Sequence, residues 1–313
     1  MRVLVTGSAG YLGPIVVRRL KEAGHTVVGY DTEWFGRDTE STWSVRGDIR
    51  DPLVHPDWPE VVVHMAGLSN DPMGDLDRDL TRAINWDGTT EVVDRYRRAR
   101  HVVISSCAVY GQSEGIATED TKPNPLTCYA QCKANVDWAL MDRSVRGISL
   151  RLGTVFGDSP NLRLDTVVNR MVFDAVNGGP VTTYGNAGRP LVHIEDVASA
   201  IVWAVGGSKR GIYNVVGENV RMRDLGRAIA SFAGIRLEQK DGGADTRDYM
   251  ASGEKLLKAG WSPTHTVEGS LPVMFEKFLR YDKYDLPNHV RLTQLQRLMA
   301  AGELDPKTLR FAA

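Results

Sequence analysis

Short apolar runs alternate along the chain with longer segments in which apolar residues recur every three or four positions. The runs, rich in β-branched residues, predict strands, and the periodic segments between them predict helices. The predicted strands are residues 3–6, 26–30, 44–48, 61–66, 101–106 and 148–152, and predicted helices include residues 80–98 and a segment that begins at Tyr129. Several strands are apolar throughout, which is typical of a parallel sheet buried on both faces. The pattern therefore predicts an α/β fold with a doubly wound parallel sheet.

A glycine-rich turn follows the first predicted strand. Gly7, Gly10 and Gly13 are spaced G-x-x-G-x-x-G and lead into a helical pattern. Such glycines allow a tight turn, a close approach of the main chain to a pyrophosphate, and close packing of the helix on the sheet. The second strand ends in Asp31, whose carboxylate can accept both hydroxyls of an adenosine ribose but would repel a 2′-phosphate. The motif favours NAD over NADP, and a tight turn that binds nothing is the alternative.

The composition excludes some classes of partner. Lys and Arg number 38 and Asp and Glu number 39, so neither nucleic acid nor a membrane surface is expected as a partner. No apolar run approaches the roughly 20 residues of a membrane span, and the chain starts directly with a strand, so a cytoplasmic protein without a signal peptide is expected. The three cysteines form neither a metal-binding spacing nor an even disulfide framework.

Polar segments near the predicted strand ends leave alternatives open. Asp48 and Ile49 follow the third strand, where they would flank an adenine, but an Asp that ends a strand in a turn fits equally well. Residues 68–79 carry four aspartates, for which a solvated loop is favoured over a metal site, and no bound metal is expected. Ala66 and Gly67 are small enough for a cofactor to pass close to the backbone.

A Ser, a Tyr and a Lys form the candidate chemical group. The fifth strand runs into Ser105 and Ser106, Tyr129 follows 23 residues after Ser106, and Lys133 comes one helical turn later on the same face. An ammonium near a phenol, reinforced by a positively charged nicotinamide, moves the pKa of the Tyr from about 10 toward neutrality. Tyr129 can then take a proton from a sugar hydroxyl held by Ser106, while hydride leaves the same carbon for NAD.

These motifs resemble the extended short-chain dehydrogenase/reductase family, in its NAD-dependent nucleotide-sugar epimerase and dehydratase group, from Met1 to about Thr266. The resemblance implies that Ser106, Tyr129 and Lys133 form the catalytic triad, and that Asn85 supports the strand bearing the cofactor. With the glycines and Asp31, it implies a cofactor site that includes Tyr11, Leu12, Asp48, Ile49, Ala66, Gly67, Asn85, Ser105, Tyr129 and Lys133.

The resemblance also implies two domains. A Rossmann domain is expected over residues 1–153 and about 184–206. A smaller mixed α/β domain that binds the nucleotide sugar is expected over about 154–183 and 207–313. The tail, residues 281–313, extends past the resemblance, and its amphipathic pattern predicts packing on its own domain or on a dimer partner.

Departures from the family pattern narrow the reaction. The 4,6-dehydratases carry Asp and Glu directly after the triad hydroxyl residue, whereas this chain has Cys107 and Ala108. Ala108 cannot act as a base, so 4,6-dehydration is not expected. Enzymes of the 3,5-epimerase type place a Cys two positions after the triad Ser. Cys107 comes only one position after Ser106, so a neutral, buried Cys107 is favoured over a cysteine acid.

Substrate residues are expected from several separated segments. Residues 161–169 resemble a family substrate loop in which Asn and Arg face the diphosphate, and many 4-epimerases carry Asn where this chain has Thr154. Two further arginines lie in similar loops, where the bidentate guanidinium suits phosphate oxygens; a surface ion pair is the alternative for Arg189. The substrate candidates are Ser69, Thr154, Arg163, Asn169, Arg189 and Arg247.

The expected activity is therefore that of an NAD-dependent epimerase of a nucleoside-diphosphate sugar, most simply at C4. A nucleotide-sugar ketoreductase or dehydrogenase would use the same triad and is the alternative. A non-catalytic NAD sensor is disfavoured because Tyr129 and Lys133 are both present. By the same resemblance a homodimer is expected, through the helices at residues 80–98 and 129–143.

Overall fold

The computed structural model describes residues 1–51, 59–142, 145–241 and 247–311. Residue 143, at the end of a predicted interface helix, and residues 312–313 of the tail lie outside these ranges. The strands are β1 (Arg2–Thr6), β2 (Thr26–Asp31), β3 (Trp43–Arg46), β4 (Val61–His64), β5 (Arg100–Ser106), β6 (Gln112–Ala117), β7 (Gly147–Leu152), β8 (Thr154–Phe156), β9 (Val181–Tyr184), β10 (Gly188–His193), β11 (Gly211–Val215), β12 (Glu218–Arg221), β13 (Leu237–Lys240) and β14 (Asp248–Ala251).

The α-helices are α1 (Gly13–Glu22), α2 (Asp71–Gly74), α3 (Arg78–Arg82), α4 (Thr89–Arg95), α5 (Cys128–Asp142), α6 (Val167–Val176), α7 (Ile194–Gly206), α8 (Met222–Ala233), α9 (Glu254–Lys258), α10 (Val267–Phe278) and α11 (Arg291–Ala300). Two short 3₁₀ helices lie at Cys107–Tyr110 and Leu286–Asn288. None of the helices in the described ranges combines the length and apolar character that a membrane span requires.

The large sheet has seven strands in the order β11-β7-β5-β4-β1-β2-β3, and neighbouring strands pair in parallel. Helices cover both faces: α1 and α7 pack together on one face, and α5 packs on β5 and β7. Along β1, Val3 and Val5 belong to the apolar cluster on the first face and Leu4 to the cluster on the opposite face. The predicted α/β fold with a doubly wound parallel sheet is confirmed.

Smaller sheets and a helical layer form the rest of the molecule. The order β12-β10-β8 makes one sheet, and β13-β9 and β14-β6 are strand pairs. The chain crosses between the two parts, since β11 pairs with β7 in the large sheet although it lies in the segment predicted for the second domain. Strand β10 lies in the segment predicted for the first domain but pairs with β8 and β12. The domain boundaries stay a prediction.

Two predicted segments have more structure than the hydrophobic pattern indicates. The predicted loop 68–79 contains α2 and the start of α3, because the side chains of Asn70 and Asp77 accept hydrogen bonds from the N–H groups of their first turns. The predicted helix 80–98 is α3 and α4 joined by a π-helical segment at Ala83–Gly88. Such π segments are often found at functional sites, and this one carries Asn85.

The tail returns to the first half of the chain. Leu295 of α11 is fully buried in the same apolar cluster as Tyr30 and Ile49. The tail therefore packs on residues of the segment predicted for the Rossmann domain and not only on its own predicted domain. Packing on a dimer partner stays a prediction.

A buried ion pair holds α5 on the large sheet. The Arg151 Nε donates to a carboxylate oxygen of Asp137 at 2.7 Å, and both side chains are at most 2% exposed. Ser149 also donates to Asp137, and an Arg151 Nη1 donates to the Tyr110 hydroxyl at 3.0 Å. Removing one partner of such a pair leaves an uncompensated charge in the interior.

Asp137→Asn is expected to lower the free energy of unfolding by about 3–5 kcal/mol, because the Arg151 charge stays buried without its counter-charge. Urea unfolding at neutral pH measures the change. Asp174→Asn is the matched control, since Asp174 pairs with Arg170 on an exposed helix face and should contribute less than about 1 kcal/mol. Equal losses in the two variants would contradict this role for the buried pair.

Candidate active site

The turn between β1 and α1 is built by its glycines. Gly7 has φ +78°, and a Cβ there would lie 2.8 Å from the backbone nitrogen of Ala66, while a Cβ on Gly13 would lie 2.0 Å from the carbonyl oxygen of Ser8. A Cβ on Gly10 would meet only the Gly7 carbonyl oxygen, at 3.2 Å, so the backbone at Gly10 borders open space. With no acidic residue in the first turn of α1, this turn fits a pyrophosphate at a helix N-terminus.

Asp31 lies at the end of β2 beside this turn. Its carboxylate accepts from the Ala9 N–H at 3.0 Å and the Glu33 N–H at 2.7 Å. Burial raises the pKa of Asp31, and the two backbone hydrogen bonds partly oppose that rise. A carboxylate held in this way has lone pairs left for ribose hydroxyls.

The predicted adenine neighbours lie one strand further along. Ile49 is buried, and the Asp48 carboxylate accepts hydrogen bonds from the backbone and side chain of Arg50. Contact of either residue with an adenine stays a prediction.

Buried polar atoms without a hydrogen-bond partner show where a bound cofactor could supply one, and so they test whether the site fits NAD. Within the described residues, Ser8 Oγ and Ser105 Oγ are buried without a hydrogen-bond partner. Ser105 is the residue before Ser106 at the end of β5, and Ser8 lies in the glycine turn, so both are placed at the carboxyl edge of the sheet where cofactors bind. The residues present fit NAD. The glycine turn with Tyr11 and Leu12 would hold its pyrophosphate, Asp31 its ribose, and the end of β5 its nicotinamide half.

The three predicted catalytic residues come together. The Ser106 side chain lies near enough to Tyr129 to lower the pKa of its phenol, and Ser106 Oγ accepts from the Ala108 N–H at 3.1 Å. Lys133 lies one turn along α5, with Nζ 5.9 Å from the centre of the Tyr129 ring. Its Nζ donates to the carbonyl oxygen of Ile104 in β5 at 2.8 Å. Strand β5 and helix α5 thus position all three side chains.

The pKa of Tyr129 moves in the direction opposite to the sequence prediction. Burial, and then the charge of Asp71, raise it to about 12, while the hydrogen bond from Ser106 and the charges of Arg163 and Arg247 oppose the rise. The protein by itself therefore keeps Tyr129 protonated. The predicted shift toward neutrality omitted desolvation of the phenolate, and any lowering would have to come from the bound cofactor.

Asn85 supports the chain next to the cofactor turn. Its side chain accepts from the Leu68 N–H at 2.7 Å and donates to the Leu68 carbonyl oxygen at 2.9 Å. A Cβ on Gly67 would lie 2.8 Å from the Asn85 Oδ1. The π segment therefore fixes the path of the chain after β4, and support of the cofactor by Asn85 stays a prediction.

Two predicted substrate residues contact each other directly. Arg163 Nη1 donates to Ser69 Oγ at 3.0 Å, and its Nε donates to Asp165 at 2.8 Å. Arg163 is only 8% exposed, and its charge acts on Tyr129. This guanidinium lies at the border between the triad and the substrate loop.

Two further predicted substrate residues, Arg189 and Arg247, form another set of contacts near the triad. Arg189 Nη1 donates to the carbonyl oxygen of Arg247 at 2.6 Å, and its guanidinium lies over the Tyr249 ring. The Arg247 side chain pairs with Asp71, which also accepts from Thr127 Oγ1. These contacts place Arg247 and Asp71 beside Tyr129, and the buried Arg189 behind them.

The remaining two predicted substrate residues are Asn169, which is fully buried, and Thr154, which is partly buried. Asn169 is fully buried, and its amide bonds the Gly157 N–H at 2.9 Å, the Arg163 carbonyl oxygen at 2.8 Å and the Tyr11 hydroxyl at 3.0 Å. This geometry shapes the loop that carries Arg163, and contact of Asn169 with a substrate stays a prediction. Thr154 is partly buried at the start of β8.

The positions after Ser106 carry no acid or base. Cys107 is fully buried, its Sγ lies 3.3 Å from the Arg151 carbonyl oxygen, and burial raises the pKa of its thiol. The expectation of a neutral Cys107 is confirmed, and Ala108 is buried beside it.

Asp71 and Thr127 are site residues that the sequence did not single out. Asp71 was one of four aspartates in a segment taken as solvated, and only the fold brings it to Tyr129. The Asn70 cap that starts α2 was the available signal, because it orders the segment that carries Asp71.

The pKa of Lys133 gives the protein a distinct pH dependence. Burial lowers this pKa to about 8, against the opposing charge of Asp137. The unfolded chain holds the proton up to pH values near 10.5, so it binds more protons than the folded protein between about pH 8 and 10.5. Stability from this group therefore rises with pH across that window.

Relative to Lys133→Met, the wild-type protein is expected to gain about 2–3 kcal/mol in free energy of unfolding between about pH 7 and 10.5. Urea unfolding of both proteins across this range measures the change, whatever the constant offset between them. Lys258→Met is the control, because Lys258 is exposed and its removal should give no such pH-dependent difference. A constant difference between wild type and Lys133→Met would show that the Lys133 pKa is not lowered.

Comparison with known proteins identifies relatives of this chain. The family described as the NAD dependent epimerase/dehydratase family matches residues 3–216. UDP-glucose 4-epimerase from Mycolicibacterium smegmatis is 30% identical over 262 residues, which cover 75% of this chain and 83% of that protein. UDP-glucuronic acid decarboxylase 2 from Arabidopsis thaliana is 26% identical over 307 residues, which cover 89% of this chain and 68% of that protein.

A solved structure agrees with the sequence matches. The structure of UDP-glucose 4-epimerase from Thermus thermophilus in complex with NAD aligns with a TM-score of 0.76 at 26% identity, covering 89% of this chain and 99% of that one. The family match spans well over half of the chain and includes the glycine turn and all three triad residues. The chain therefore belongs to the NAD-dependent epimerase/dehydratase family, and its cofactor is NAD.

Proposed function

We propose that this protein is an NAD-dependent epimerase of a nucleoside-diphosphate sugar, acting most simply at C4. The observation that carries the proposal is the meeting of Ser106, at the end of β5, with Tyr129 and Lys133 on the first turns of α5, where Lys133 Nζ lies 5.9 Å from the centre of the Tyr129 ring. Such a group oxidises and reduces a carbinol carbon. Because Cys107 and Ala108 follow Ser106, the acid and base used for 4,6-dehydration are missing from those positions.

Proton movement is the task of the triad. Ser106 Oγ accepts from a backbone N–H, so its own proton is directed toward Tyr129 or a substrate hydroxyl. Tyr129 as phenolate would take the hydroxyl proton of the sugar and return it after the sugar has turned. When bound, NAD takes up and gives back the hydride of the same carbon. Lys133, held against β5, keeps a positive charge near the phenol and the cofactor site.

The diphosphate would be held by arginines from separate segments. Arg163 and Arg247 both act electrostatically on Tyr129, and Arg189 supports Arg247 through its carbonyl oxygen. Guanidinium groups in such positions suit a dianion through paired N–H groups. Asp71 neutralises part of this charge through Arg247, so it is not placed as a free general base.

A nucleotide-sugar ketoreductase or dehydrogenase is the second candidate, because it would use the same three residues for half of the cycle. The two functions differ in the fate of NAD. An epimerase regenerates it in every turnover, whereas a reductase or dehydrogenase must exchange it.

The test combines cofactor release with absorbance near 340 nm. We expect purified protein to retain NAD and to interconvert sugars in a panel of UDP-glucose, UDP-galactose, UDP-glucuronic acid and their ADP, GDP and dTDP counterparts without a lasting absorbance change. An empty site with stoichiometric gain or loss of NADH would instead establish the second candidate.

Tyr129→Phe should retain NAD and lose at least about 100-fold in rate, whereas Tyr184→Phe, at an exposed position, should retain activity. Full activity in Tyr129→Phe would refute the triad.

The expected homodimer is also a proposal. Trp138 on α5 is 64% exposed and Met141 is 39% exposed, which leaves an apolar surface on one of the two predicted interface helices. Trp138→Glu is expected to shift the protein to monomers in sedimentation velocity experiments. Trp43→Glu, on the edge strand β3 and 60% exposed, is the matched control. A monomeric wild type, or an unchanged Trp138→Glu dimer, would count against this interface.

A further inference from the structure

The C-terminal segment, residues 286–311, lies beyond the family match and packs on the adenine side of the predicted cofactor site. Leu295, Leu304 and Leu309 are each at most 1% exposed and belong to the apolar cluster that contains Tyr30 and Ile49. The aromatic side chains of the loop after Asp31, Trp34 and Phe35, pack against the same cluster.

Polar contacts fasten the end of this segment to the residues after β3. Arg50, which holds the Asp48 carboxylate, donates through Nη1 to the Thr308 carbonyl oxygen at 2.7 Å. Arg310 pairs with Asp51 at 2.6 Å, and the guanidinium of Arg46 lies 3.9 Å from the centre of the Phe311 ring. The segment is therefore attached to residues that precede and follow Asp48 and Ile49 in the chain, the two residues predicted to flank the adenine.

Arg291 is the buried charge of this segment. It is 2% exposed, its Nη1 donates to Gln294 and its Nη2 to the Asn161 carbonyl oxygen, both at 2.7 Å, and it lies over the Phe35 ring. Within the described residues no carboxylate lies within salt-bridge distance of it, although the charges of Asp165 and Asp31 reach it. Burial, and then the charge of Arg163, lower the pKa of Arg291 to about 9. A cation in this situation is stabilised by an anion that the protein itself does not provide.

The surroundings of Arg291 indicate which anion would complete the site. Asn161, which accepts from Arg291, also donates through its side chain to the Ala9 carbonyl oxygen in the glycine turn at 2.7 Å. The charge of Arg291 acts on Tyr11 of that turn and on Asp31. Arg291 is thus linked through Asn161 to the turn predicted to hold the pyrophosphate, and its charge reaches Asp31, the residue predicted to bind the ribose. Trp34 Nε1, buried nearby in the same cluster, has no hydrogen-bond partner within the described residues.

We propose that the C-terminal segment completes the cofactor site: Arg291 supplies positive charge to the adenosine diphosphate half of NAD, and residues 286–311 close over the adenine edge. The glycine turn offers the pyrophosphate N–H groups but no cationic side chain, and Arg291 provides that charge from a distant part of the chain. This inference concerns the cofactor and holds whichever sugar reaction the enzyme performs.

Three full-length variants test it by calorimetric titration of cofactor-free protein with NAD, ADP-ribose and nicotinamide mononucleotide. Arg291→Gln is expected to weaken NAD and ADP-ribose binding at least about tenfold while leaving nicotinamide mononucleotide binding unchanged. Arg291→Lys should recover part of the loss because it keeps the charge. Arg297→Gln, the same change on the exposed face of α11, should bind all three ligands as wild type does. NAD affinity in Arg291→Gln equal to that in Arg297→Gln would overturn the proposal.

Hydrogen exchange of the wild-type protein gives a readout that does not depend on how the variants fold. Binding of ADP-ribose is expected to slow exchange of backbone amides in residues 291–309 at least about tenfold, because a segment that closes over the ligand opens less often. Protection confined to the glycine turn, with no change in residues 291–309, would show that the segment is only a structural cover.

Discussion

The buried pair of Asp137 and Arg151 is the constraint on which the site depends. Asp137 lies one turn after Lys133 on α5, and Arg151 lies on β7, so the pair fixes the helix against the sheet at the level of the triad. Arg151 also donates to Tyr110, which follows Ser106 by four residues and bonds Asn214 of β11. One charged pair thus joins the helix that carries Tyr129 and Lys133 to the turn that carries Ser106. Buried pairs of this kind add little net stability, and here the geometry they impose is what matters.

Burial of the triad also raises the pKa of Tyr129, so this side chain stays protonated when no cofactor is bound. Desolvation and the charge of Asp71 both favour the protonated form of Tyr129. Burial also acts on Lys133, whose pKa it lowers. The positive charge of a bound nicotinamide acts against both effects on the tyrosine. In the proposed mechanism, deprotonation of Tyr129 would therefore depend on occupancy by the oxidised cofactor. This coupling suits an enzyme that must not remove protons from a sugar when no hydride acceptor is bound.

Strands and turns that depend on local chemistry could be predicted from the sequence, whereas long-range placements could not. The glycine turn and the pairing of Tyr129 with Lys133 were predicted because they depend on backbone conformation or on spacing along one helix, whereas Ser106, on a different element, was joined to them by the family resemblance. The π segment at Asn85 could not be found, because its apolar positions still fit an ordinary helix. Asp71 and Arg291 reach the site only through tertiary packing, and neither has a neighbour in sequence that signals a ligand. Asn169 gains a structural role that its motif did not indicate, since its amide bonds three parts of the chain, and its contact with a substrate stays a prediction.

The loop between β8 and α6 connects the predicted cofactor turn with the predicted substrate residues. Ser159 and Asn161 of this loop donate to carbonyl oxygens of Tyr11 and Ala9 in the cofactor turn, while Arg163 reaches Ser69 on the substrate side. The tail contacts the same loop, since the Leu164 N–H donates to the His289 carbonyl oxygen at 2.8 Å. A shift of the tail would therefore move the backbone next to Arg163 as well as the cover over the cofactor. Because these contacts are short and mostly buried, the position of Arg163, the predicted substrate arginine, is set by the same packing that holds the tail against the predicted cofactor site.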